Sequence, residues 1–489
     1  MSLLAQSNIM TTMVTACKRN RRAFLSGILG ASAAAFPLYG QTQGKADIVR
    51  VVLQPQARLG RIAPDFMGLG YEISSVAERG LLSGSNQAYV QFVRTLGTAG
   101  VIRIGGNTSD YASWSPDGPA VSAPQGTVVD RRSLTDLSTF LRATGWQLIW
   151  GLNLGQGSVD QAVDEAVAVA ASVGNSLLAF EIGNEPDLFP GIHRPANYSY
   201  ADYHAEYLRF KKAIRNKLPN APFAGPDVLV QTDWVEQFAA AEARDLRLLT
   251  HHYYAEGPPE SKASTLENLL KPNEGLASIL GRLKSASNSA KLPYRICETN
   301  SCFGGGKPGV SDTMAASLWG LDFLFMLAQF DAAGVNIETG INQLGFFSWY
   351  SPIGMDAAHA FHAQPLYYGM LAFRMASQGE RLTLTGYTGG LNLTAYAVRA
   401  NSGDIWLTLV NKEATRAAQV RAACPGITAA GALRLTAPSL ASKDGVLLGG
   451  TSVSSAGQWE PGTPERITVT SGEMEIDVPA GSAALLRLS

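Results

Sequence analysis

Two glutamates that follow short apolar runs are the residues best suited to carry out chemistry. Glu185 lies in residues 180–186, FEIGNEP, and Glu298 in residues 294–300, YRICETN. Glycosidic cleavage needs one protonated carboxyl to deliver a proton to the leaving oxygen, and one ionised carboxyl to attack the anomeric carbon. Repulsion across about 5–5.5 Å separates their pKa values. We therefore predict that Glu185 and Glu298 form such a pair, one as general acid/base and the other as nucleophile.

A run of three glycines, Gly304 to Gly306, begins six residues after Glu298. Glycine lets the backbone approach a ligand closely, and successive amide groups can form a concave anion site. A flexible surface loop is the alternative interpretation of the same run. Its position just after the candidate nucleophile favours an anionic group on the substrate.

The elements that must position these groups alternate between short apolar runs and helical patterns from about residue 65 to residue 378. Helical spacing is clear at 203–218 and 312–333. Predicted strands cover 66–73, 101–105, 147–153, 178–184, 222–226, 246–254, 294–298 and 342–350. This order predicts an α/β fold, a (β/α)8 TIM barrel, with Glu185 and Glu298 ending the fourth and seventh strands. A doubly wound open sheet is the alternative, but the glycine-rich phosphate loop typical of it is missing from the sequence.

After residue 378 helical periodicity gives way to short strands separated by Gly, Pro, Ser and Asn, which predicts a β-sandwich. These strands are predicted at 381–384, 391–399, 405–410, 417–421, 433–436, 466–470, 474–478 and 483–488. Residues 47–53 also alternate, and we expect them to join the C-terminal sheet. The predicted domains are an export signal (1–44), an N-terminal strand (45–62), the barrel (63–378) and the β-sandwich (379–489).

The N-terminal segment has the pattern of a targeting signal. Residues 18–25, KRNRRAFL, are basic with paired arginines, and a short small-residue apolar stretch follows at 27–36. This pattern resembles a bacterial twin-arginine export signal and predicts a periplasmic or extracellular protein, with cleavage between residues 35 and 45. A disordered basic tail is the alternative. No other run reaches the about 18 apolar residues of a membrane helix, so no membrane insertion is expected after export.

Composition argues against several classes of partner. Lys+Arg is 39 and Asp+Glu is 40, for a formal net charge of -1, so the electrostatic footprint of a nucleic-acid-binding protein is missing. Cys17, Cys297, Cys302 and Cys424 show no zinc spacing. Buried thiols are favoured for Cys297 and Cys302, and a disulfide that closes the loop between them is the alternative.

Adjacent histidines at positions 251 and 252 could suggest a metal site. Neighbouring side chains on a strand face opposite ways, however, which favours a buried, hydrogen-bonded histidine instead.

Five segments together resemble glycoside hydrolase family 79 of clan A, the β-glucuronidases and heparanases, over nearly the whole chain after the signal. They are RIGGNTSD (103–110), GNEP (183–186), GPDV (225–228), HHYY (251–254) and ETNSCFGGG (298–306). The resemblance implies an acid/base at Glu185, a nucleophile at Glu298 and the family's split β-sandwich.

The same resemblance implies roles for seven further residues. Asn184 is expected to contact the sugar 2-hydroxyl, and Tyr254 to orient Glu298. The amides of Gly304 and Gly305 are expected to hold a glucuronate carboxylate together with the Tyr350 hydroxyl. Glu72 and Asp110 are expected to bind the remaining ring hydroxyls.

Two departures from the family pattern bear on specificity. Phe303 stands where many members have a tyrosine just before the first glycine, so that hydroxyl cannot hold a carboxylate. Lys307 follows the loop and is either a replacement charge or a solvated lysine. The segment 229–232, LVQT, lacks the basic groups that heparan-degrading members place there, which favours exo-action on a small glucuronide.

The sequence thus predicts a monomeric, exo-acting retaining β-glucuronidase that releases glucuronic acid or its 4-O-methyl form. Neither a metal nor an organic cofactor is expected, because two carboxyl groups and water suffice. The alternatives are a β-glycosidase acting on a neutral sugar, a glucoside or xyloside, and an inert carbohydrate-binding protein.

Overall fold

Eight parallel strands close into a barrel in the computed structural model, which describes residues 47–341 and 348–489. In chain order the barrel strands are Gly68–Glu72, Val101–Gly105, Gln147–Leu152, Leu177–Ile182, Phe223–Val228, Leu246–Glu256, Tyr294–Cys302 and Gly334–Glu338. Each strand pairs with its neighbours in sequence, and the eighth pairs with the first. The predicted TIM barrel is confirmed, and the open-sheet alternative is wrong.

The eighth strand lies earlier in the chain than the sequence pattern indicated. We predicted it at 342–350, but Gly334–Glu338 closes the barrel, and residues 349 and 350 form a turn. Residues 342–347 of the predicted strand lie outside the described part of the chain. The true strand carries polar Asn336 in the interior, where its amide nitrogen donates to the carbonyls of Leu69 and Val101. A buried side-chain amide is tolerated in a core when it is hydrogen-bonded, but the hydropathy of a sequence does not show whether such partners exist.

Helices surround the barrel, and several of them begin at a residue whose side chain caps the first turn. The helices are Ser74–Ala77, Gln87–Leu96, Arg131–Thr144, Val159–Val173, Tyr200–Lys217, Thr232–Glu242, Leu266–Leu270, Glu274–Ala290, Met314–Gln329 and Pro365–Ala376. Ser158 and Gln161 form a reciprocal capping box at the start of Val159–Val173. The helix predicted to start at residue 312 begins two residues later, at Met314, after Thr313.

The C-terminal part of the chain forms one continuous eleven-stranded sheet that curls around its own core. Its strands are Asp47–Arg61, Gly379–Tyr387, Leu393–Ala400, Ile405–Asn411, Ala418–Ala423, Ala430–Thr436, Leu447–Leu448, Glu465–Ile467, Val469–Thr470, Glu473–Val478 and Ser482–Leu488. Strand Asp47–Arg61 pairs antiparallel with Gly379–Tyr387 and parallel with Ala418–Ala423. The prediction that an N-terminal strand joins this sheet is confirmed.

The barrel and the curled sheet share a packed boundary. Helices Met314–Gln329 and Pro365–Ala376 are buried on most of their surface, and one hydrophobic cluster joins them to both sheets. Phe325, for example, stacks on Tyr396 of the curled sheet with ring centroids 4.6 Å apart. This boundary places the curled sheet behind the helices, so the ends of the barrel strands remain available for a site.

Four short strands lie outside both large sheets, as the pairs Ser113–Trp114 with Val128–Val129 and Ile353–Met355 with Phe361–Ala363. Cys297, Cys302 and Cys424 are free and buried, so the disulfide alternative is wrong. The predicted export signal, with Cys17, lies outside the described residues. Within the described chain, every helix is too short or too polar to cross a bilayer.

Candidate active site

A one-residue irregularity in the seventh strand turns Glu298 into the barrel. Ile296 pairs with His251 and Glu298 with His252, so Cys297 is an extra residue relative to the neighbouring strand. Such a bulge re-aims the side chains that follow it. Cys297 packs in the inner barrel core, and Glu298 faces inward as well instead of alternating outward. Glu298 therefore sits within the strand, which continues to Cys302, and not at its end as predicted.

Glu185 is positioned by an unusual backbone at the end of the fourth strand. The strand ends at Ile182, and Glu185 adopts a left-handed conformation with φ 49° and ψ 53° before the short 3-10 helix Pro186–Leu188. A β-carbon makes this conformation costly by about 1–2 kcal/mol. Hydrogen bonds hold it in place: Glu185 N donates to Asp227 O at 2.9 Å, and Leu188 N donates to Glu185 O at 2.8 Å.

The structure brings the two glutamates together. A carboxylate oxygen of Glu185, one of Glu298 and a ring nitrogen of His252 all lie within 4.8 Å of one another. Glu185 and Glu298 are only 8% and 7% exposed, so little water screens their charges from each other. Two carboxyl groups this close can act on opposite sides of one bond.

Two side chains donate hydrogen bonds to the carboxyl group of Glu298. Arg103 donates from Nη1 to Glu298 Oε2 at 2.8 Å, and Tyr254 donates its hydroxyl to Oε1 at 2.8 Å. Charge-assisted bonds of this kind stabilise a carboxylate and fix its orientation. The predicted partner Tyr254 thus contacts Glu298, whereas Arg103 was not singled out as a site residue.

Glu185 has the environment of an acid. Burial raises its pKa to about 7, the hydrogen bond from His252 opposes this rise, and the charge of Glu298 adds to it. The distance from His252 Nδ1 to Glu185 Oε1 is 3.0 Å, and from His252 Nε2 to Asp227 Oδ1 it is 2.6 Å. Glu185 therefore holds its proton over much of the pH range below neutrality.

His252 lies between two acids that favour its protonated form. Burial by itself lowers its pKa, but the charges of Asp227 and Glu298 and its hydrogen bonds to Asp227 and Glu185 raise it well above its usual range. Its neighbour His251 faces away and contacts the Thr232 hydroxyl at 3.2 Å. The pair therefore splits as the strand alternation predicted, and His252 is buried and hydrogen-bonded.

The guanidinium of Arg103 donates hydrogen bonds to several polar side chains of the site. Besides Glu298, its guanidinium donates to Glu181 at 3.2 Å, to Asn184 Oδ1 at 2.8 Å and to Asp227 at 2.5 Å. Gly105 makes room, because a β-carbon there would lie 2.5 Å from the guanidinium carbon. Asn184 thus uses its oxygen on Arg103, and none of the described residues accepts a hydrogen bond from its Nδ2. That amide remains available for a hydroxyl.

Glu72 ends the first strand and Asp110 lies beyond the second, where the charge of Glu72 interacts with that of Glu298 and the charge of Asp110 with that of Glu185. Glu72 accepts hydrogen bonds from the amides of Asn107 (3.1 Å) and Thr108 (2.7 Å) and from the Thr108 hydroxyl (2.7 Å). Burial and the charge of Glu298 raise its pKa to about 6. Burial also raises the pKa of Asp110, which accepts from the Gly155 amide at 3.1 Å.

The glycine run forms a tight turn beyond the seventh strand. Gly304, Gly305 and Gly306 have φ values of 76°, 88° and 83°, in the left-handed region that side chains disfavour. Among the residues described, none accepts a hydrogen bond from the amides of Gly304 or Gly305, whereas the Gly305 carbonyl accepts from Trp349 N at 2.7 Å. Successive amides in a left-handed turn of this kind can form a concave anion site.

Aromatic rings flank this turn. Tyr350 stacks on Tyr254 with centroids 6.4 Å apart, and Phe303 contacts Tyr254 edge-on at 6.3 Å. The Tyr350 carbonyl accepts from Asn300 Nδ2 at 3.1 Å, which ties its loop to the seventh strand. Lys307 donates to the carbonyl of Ser261 at 2.7 Å.

Glu338 is a site residue that the sequence reasoning missed. It ends the eighth strand, and its buried Oε2 makes no hydrogen bond in the described structure. Gly70 leaves space for it, since a β-carbon there would lie 2.5 Å from Oε2. Burial, with the charges of Glu298 and Glu72, raises its pKa well above the usual range. The signal was an acid at the end of residues 334–338, GVNIE, but the eighth strand was predicted too late in the chain.

Glu185, His252 and Glu298 also have the residue types of a metal site. The two nitrogens of His252, however, face Asp227 and Glu185, and a protonated imidazole has no lone pair for a metal. The arrangement therefore suits proton transfer better than ion binding, and the expected absence of a metal stays a prediction.

Comparisons with known proteins agree with this geometry. Residues 391–485 match the model of the glycosyl hydrolase family 79 C-terminal beta domain. A β-glucuronidase of Aspergillus niger is 27% identical over 362 residues, 67% of this chain and 66% of that protein. Heparanase of Bos taurus is 28% identical over 233 residues, 44% of this chain and 40% of that protein. The matched segments thus span less than two thirds of either relative.

Solved structures share the fold. A 4-O-α-L-rhamnosyl-β-D-glucuronidase from Fusarium oxysporum superposes with a TM-score of 0.75 at 21% identity, covering 89% of this chain and 98% of that one. A GH51 arabinofuranosidase from Xanthomonas axonopodis pv. citri gives 0.65 at 16% identity, with 90% and 100% covered. The matched C-terminal domain and the β-glucuronidase and heparanase relatives, together with this fold, support a relationship to glycoside hydrolase family 79.

Proposed function

We propose that the protein is an exo-acting retaining β-glucuronidase that releases terminal glucuronic acid or its 4-O-methyl form. The observation that carries the proposal is the pair of carboxyl groups, whose oxygens lie within 4.8 Å of each other. Retaining enzymes hold the two groups about 5–5.5 Å apart, whereas inverting enzymes leave about 6.5–9.5 Å for a water molecule. The short separation supports direct attack by a carboxylate.

The reaction then has two steps. Glu298 attacks the anomeric carbon and forms an ester, while Glu185 gives its proton to the glycosidic oxygen and the leaving group departs as an alcohol. Glu185, now ionised, takes a proton from water as that water attacks the same carbon, which frees Glu298 and restores the acid. Tyr254 and Arg103 orient Glu298 by the hydrogen bonds that they donate to it.

The glycine turn supports a uronic acid as the sugar. None of the described residues accepts a hydrogen bond from the amides of Gly304 and Gly305, so these amides could serve as two donors for a carboxylate. The Tyr350 ring lies beside Tyr254 at the same end of the site. The names of two similar proteins include β-glucuronidase or glucuronidase. Phe303 motivates the second candidate, a neutral β-glucoside or β-xyloside, since its ring adds no hydrogen-bond donor.

Parallel assays of 4-nitrophenyl β-D-glucuronide, β-D-glucoside and β-D-xyloside test the sugar. We expect the glucuronide to be hydrolysed at least about 100-fold faster, the worth of two charge-assisted hydrogen bonds. Faster cleavage of the glucoside or xyloside would instead establish the neutral-sugar candidate. If none of the three were cleaved, the protein would be the inert carbohydrate binder.

Proton NMR of the first product tests the stereochemistry. Retention predicts that the β anomer of the free sugar appears before mutarotation, and initial release of the α anomer would refute the double displacement. Digestion of an oligosaccharide with a terminal glucuronate tests exo-action, because an exo-enzyme releases only monosaccharide. The segment 229–232 has no basic residue to hold an anionic polymer, which supports exo-action.

We extend the proposal to export, from the paired arginines at positions 21 and 22 and the apolar stretch that follows them. Their joint replacement by lysine should leave the protein in the cytoplasm of a host with a twin-arginine pathway. An unchanged distribution between cell fractions would refute a twin-arginine signal.

A further inference from the structure

Two large apolar side chains lie exposed on the loops that follow the fourth and fifth barrel strands. Val230 is 61% exposed and Ile192 is 47% exposed. Ile192 comes seven residues after Glu185, and Val230 two residues after the end of strand Phe223–Val228. Both loops leave the barrel at its carboxyl end, where the acid/base lies, so these side chains belong to the rim of the site.

Hydrogen bonds fix the two loops to each other. The Asp187 carboxylate accepts from the amides of Leu229 (3.2 Å), Val230 (2.7 Å) and Gln231 (2.9 Å). Asp187 itself is two residues from Glu185. Val230 is therefore held beside the acid/base and does not lie on an independent surface loop.

Aromatic rings extend this surface. His193, next to Ile192, packs against Tyr111 with centroids 5.1 Å apart and against Phe189 at 4.8 Å. Tyr111 directly follows Asp110, whose carboxyl interacts electrostatically with Glu185. We call Tyr111, Ile192, His193 and Val230 the leaving-group rim.

The loops that carry the rim have no cation that is free to bind an anionic leaving group. Arg194 is the only cation in residues 186–194 and 229–231, and it donates to Glu206 at 3.1 Å and to the carbonyls of Leu154 (2.8 Å) and Gly155 (3.0 Å). Burial and the neighbouring Arg194 lower the pKa of His193, which is neutral at physiological pH. A sulfated or carboxylated leaving group would find no partner here.

From this surface we infer that Ile192 and Val230 determine the preference for the leaving group, and that they favour β-glucuronides whose extended aromatic leaving group packs on the leaving-group rim. The inference rests on the proposed function, because Glu185 must touch the leaving oxygen and so places the leaving group beside its own loop. An aromatic ring gains from burial against Ile192 and Val230 and from ring contact with Tyr111 and His193. A sugar hydroxyl or an anionic group gains neither.

The test compares phenyl and 2-naphthyl β-glucuronide, whose phenols have nearly equal acidity but different apolar area. The variants are Ile192→Ser, Val230→Ser and their combination. The matched control is Leu208→Ser, since Leu208 is 40% exposed on the outer helix Tyr200–Lys217. Circular dichroism verifies that each exposed-site variant is folded.

Each rim variant should lower kcat/KM for the naphthyl substrate about 3- to 10-fold, mainly through KM, and lower that for the phenyl substrate less. In Leu208→Ser, the ratio of kcat/KM for the naphthyl substrate to kcat/KM for the phenyl substrate should be unchanged. An unchanged ratio in the double variant, with both glucuronides still cleaved, would overturn this inference alone. A wild-type enzyme that cleaves neither glucuronide would overturn the proposed function and the inference with it.

Discussion

The barrel near the site and the curled sheet bury different types of side chain. Near the site, the buried residues include Arg103, Glu181, Asp227 and His252, each paired with an opposite charge. In the curled sheet the apolar core cluster is formed by Ala, Val, Leu, Ile, Met and one Cys, and the buried polar residues of strand Ile405–Asn411, Thr408 and Asn411, are uncharged. Buried ion pairs add little net stability, whereas apolar burial is the main driving force of folding. The sheet therefore stabilises, and the barrel end holds charges for chemistry.

The cost of the charged region is visible in its unsatisfied groups. Glu181 Oε1 and Glu338 Oε2 are buried with no hydrogen-bond partner among the described residues. Glu185 also has a left-handed backbone. Strain and like-charge crowding of this kind persist where function needs them, and the rest of the fold compensates. Substitutions at the barrel end should thus affect rate, and substitutions in the sheet core should affect stability.

Among substitutions at the barrel end, Glu298→Gln should cause the largest loss of activity. We expect kcat/KM to fall at least about 10⁴-fold, because the amide cannot form the ester intermediate. Circular dichroism should show a folded protein. Glu165→Gln is the matched control, since Glu165 is also a buried barrel carboxyl but contacts Trp150. Comparable loss in the control, or near-normal activity in Glu298→Gln, would contradict the assignment of the nucleophile.

Removal of the acid should give the next largest effect. Glu185→Gln is expected to lower kcat/KM on phenyl glucuronide by about 10²–10⁴-fold, since general acid catalysis is lost. On 4-nitrophenyl glucuronide, whose leaving group needs less protonation, the loss should be smaller. In the wild type, activity should decline as pH rises through about 7, where Glu185 loses its proton, and the variant should lack this limb. An alkaline limb that survives would show that another group is the acid.

Substitutions in the sheet core should instead lower stability and leave activity nearly unchanged. Leu409 is fully buried in the central strand Ile405–Asn411, so Leu409→Ala should lower the free energy of unfolding by about 3 kcal/mol. Leu59→Ala, at a position 45% exposed on the same sheet, should cost within about 0.5 kcal/mol. Denaturant melts measure both. At 25 °C kcat/KM should change less than about twofold, and a large change would show that the sheet core also shapes the site.

The smallest expected effect is a shift of the pH profile. The charge and hydrogen bond of His252 both lower the pKa of Glu185. His252→Asn should therefore raise that pKa, and the alkaline limb of kcat/KM should move to higher pH by about one unit, which equals about 1.4 kcal/mol. A profile that keeps its midpoint while kcat falls would indicate that His252 only positions its neighbours.

Much of the site could be predicted because its residues have clear local signatures. Glu185 is preceded by Asn184 and followed by Pro186, and the three glycines require a special backbone wherever they occur. Arg103, Asp227 and His252 are different, since they come from three strands far apart in the chain. Nothing local in the sequence shows that Arg103 contacts Glu298, 195 residues away. The role of Glu338 was missed for a related reason. Its strand contains the polar Asn336, and the sequence does not show that buried carbonyls accept the hydrogen bonds of that amide.

By itself, the sequence determined the alternation of strands and helices, the sheet built from both ends of the chain and the two candidate carboxyl groups, because these follow from periodicity and residue type. Only the tertiary structure decided where the barrel closes, that a bulge at Cys297 turns Glu298 inward, and that His252 joins Glu185 to Asp227. The reason is physical: periodicity is a local property of the chain, whereas the protonation state of a buried carboxyl depends on charges brought together from distant strands.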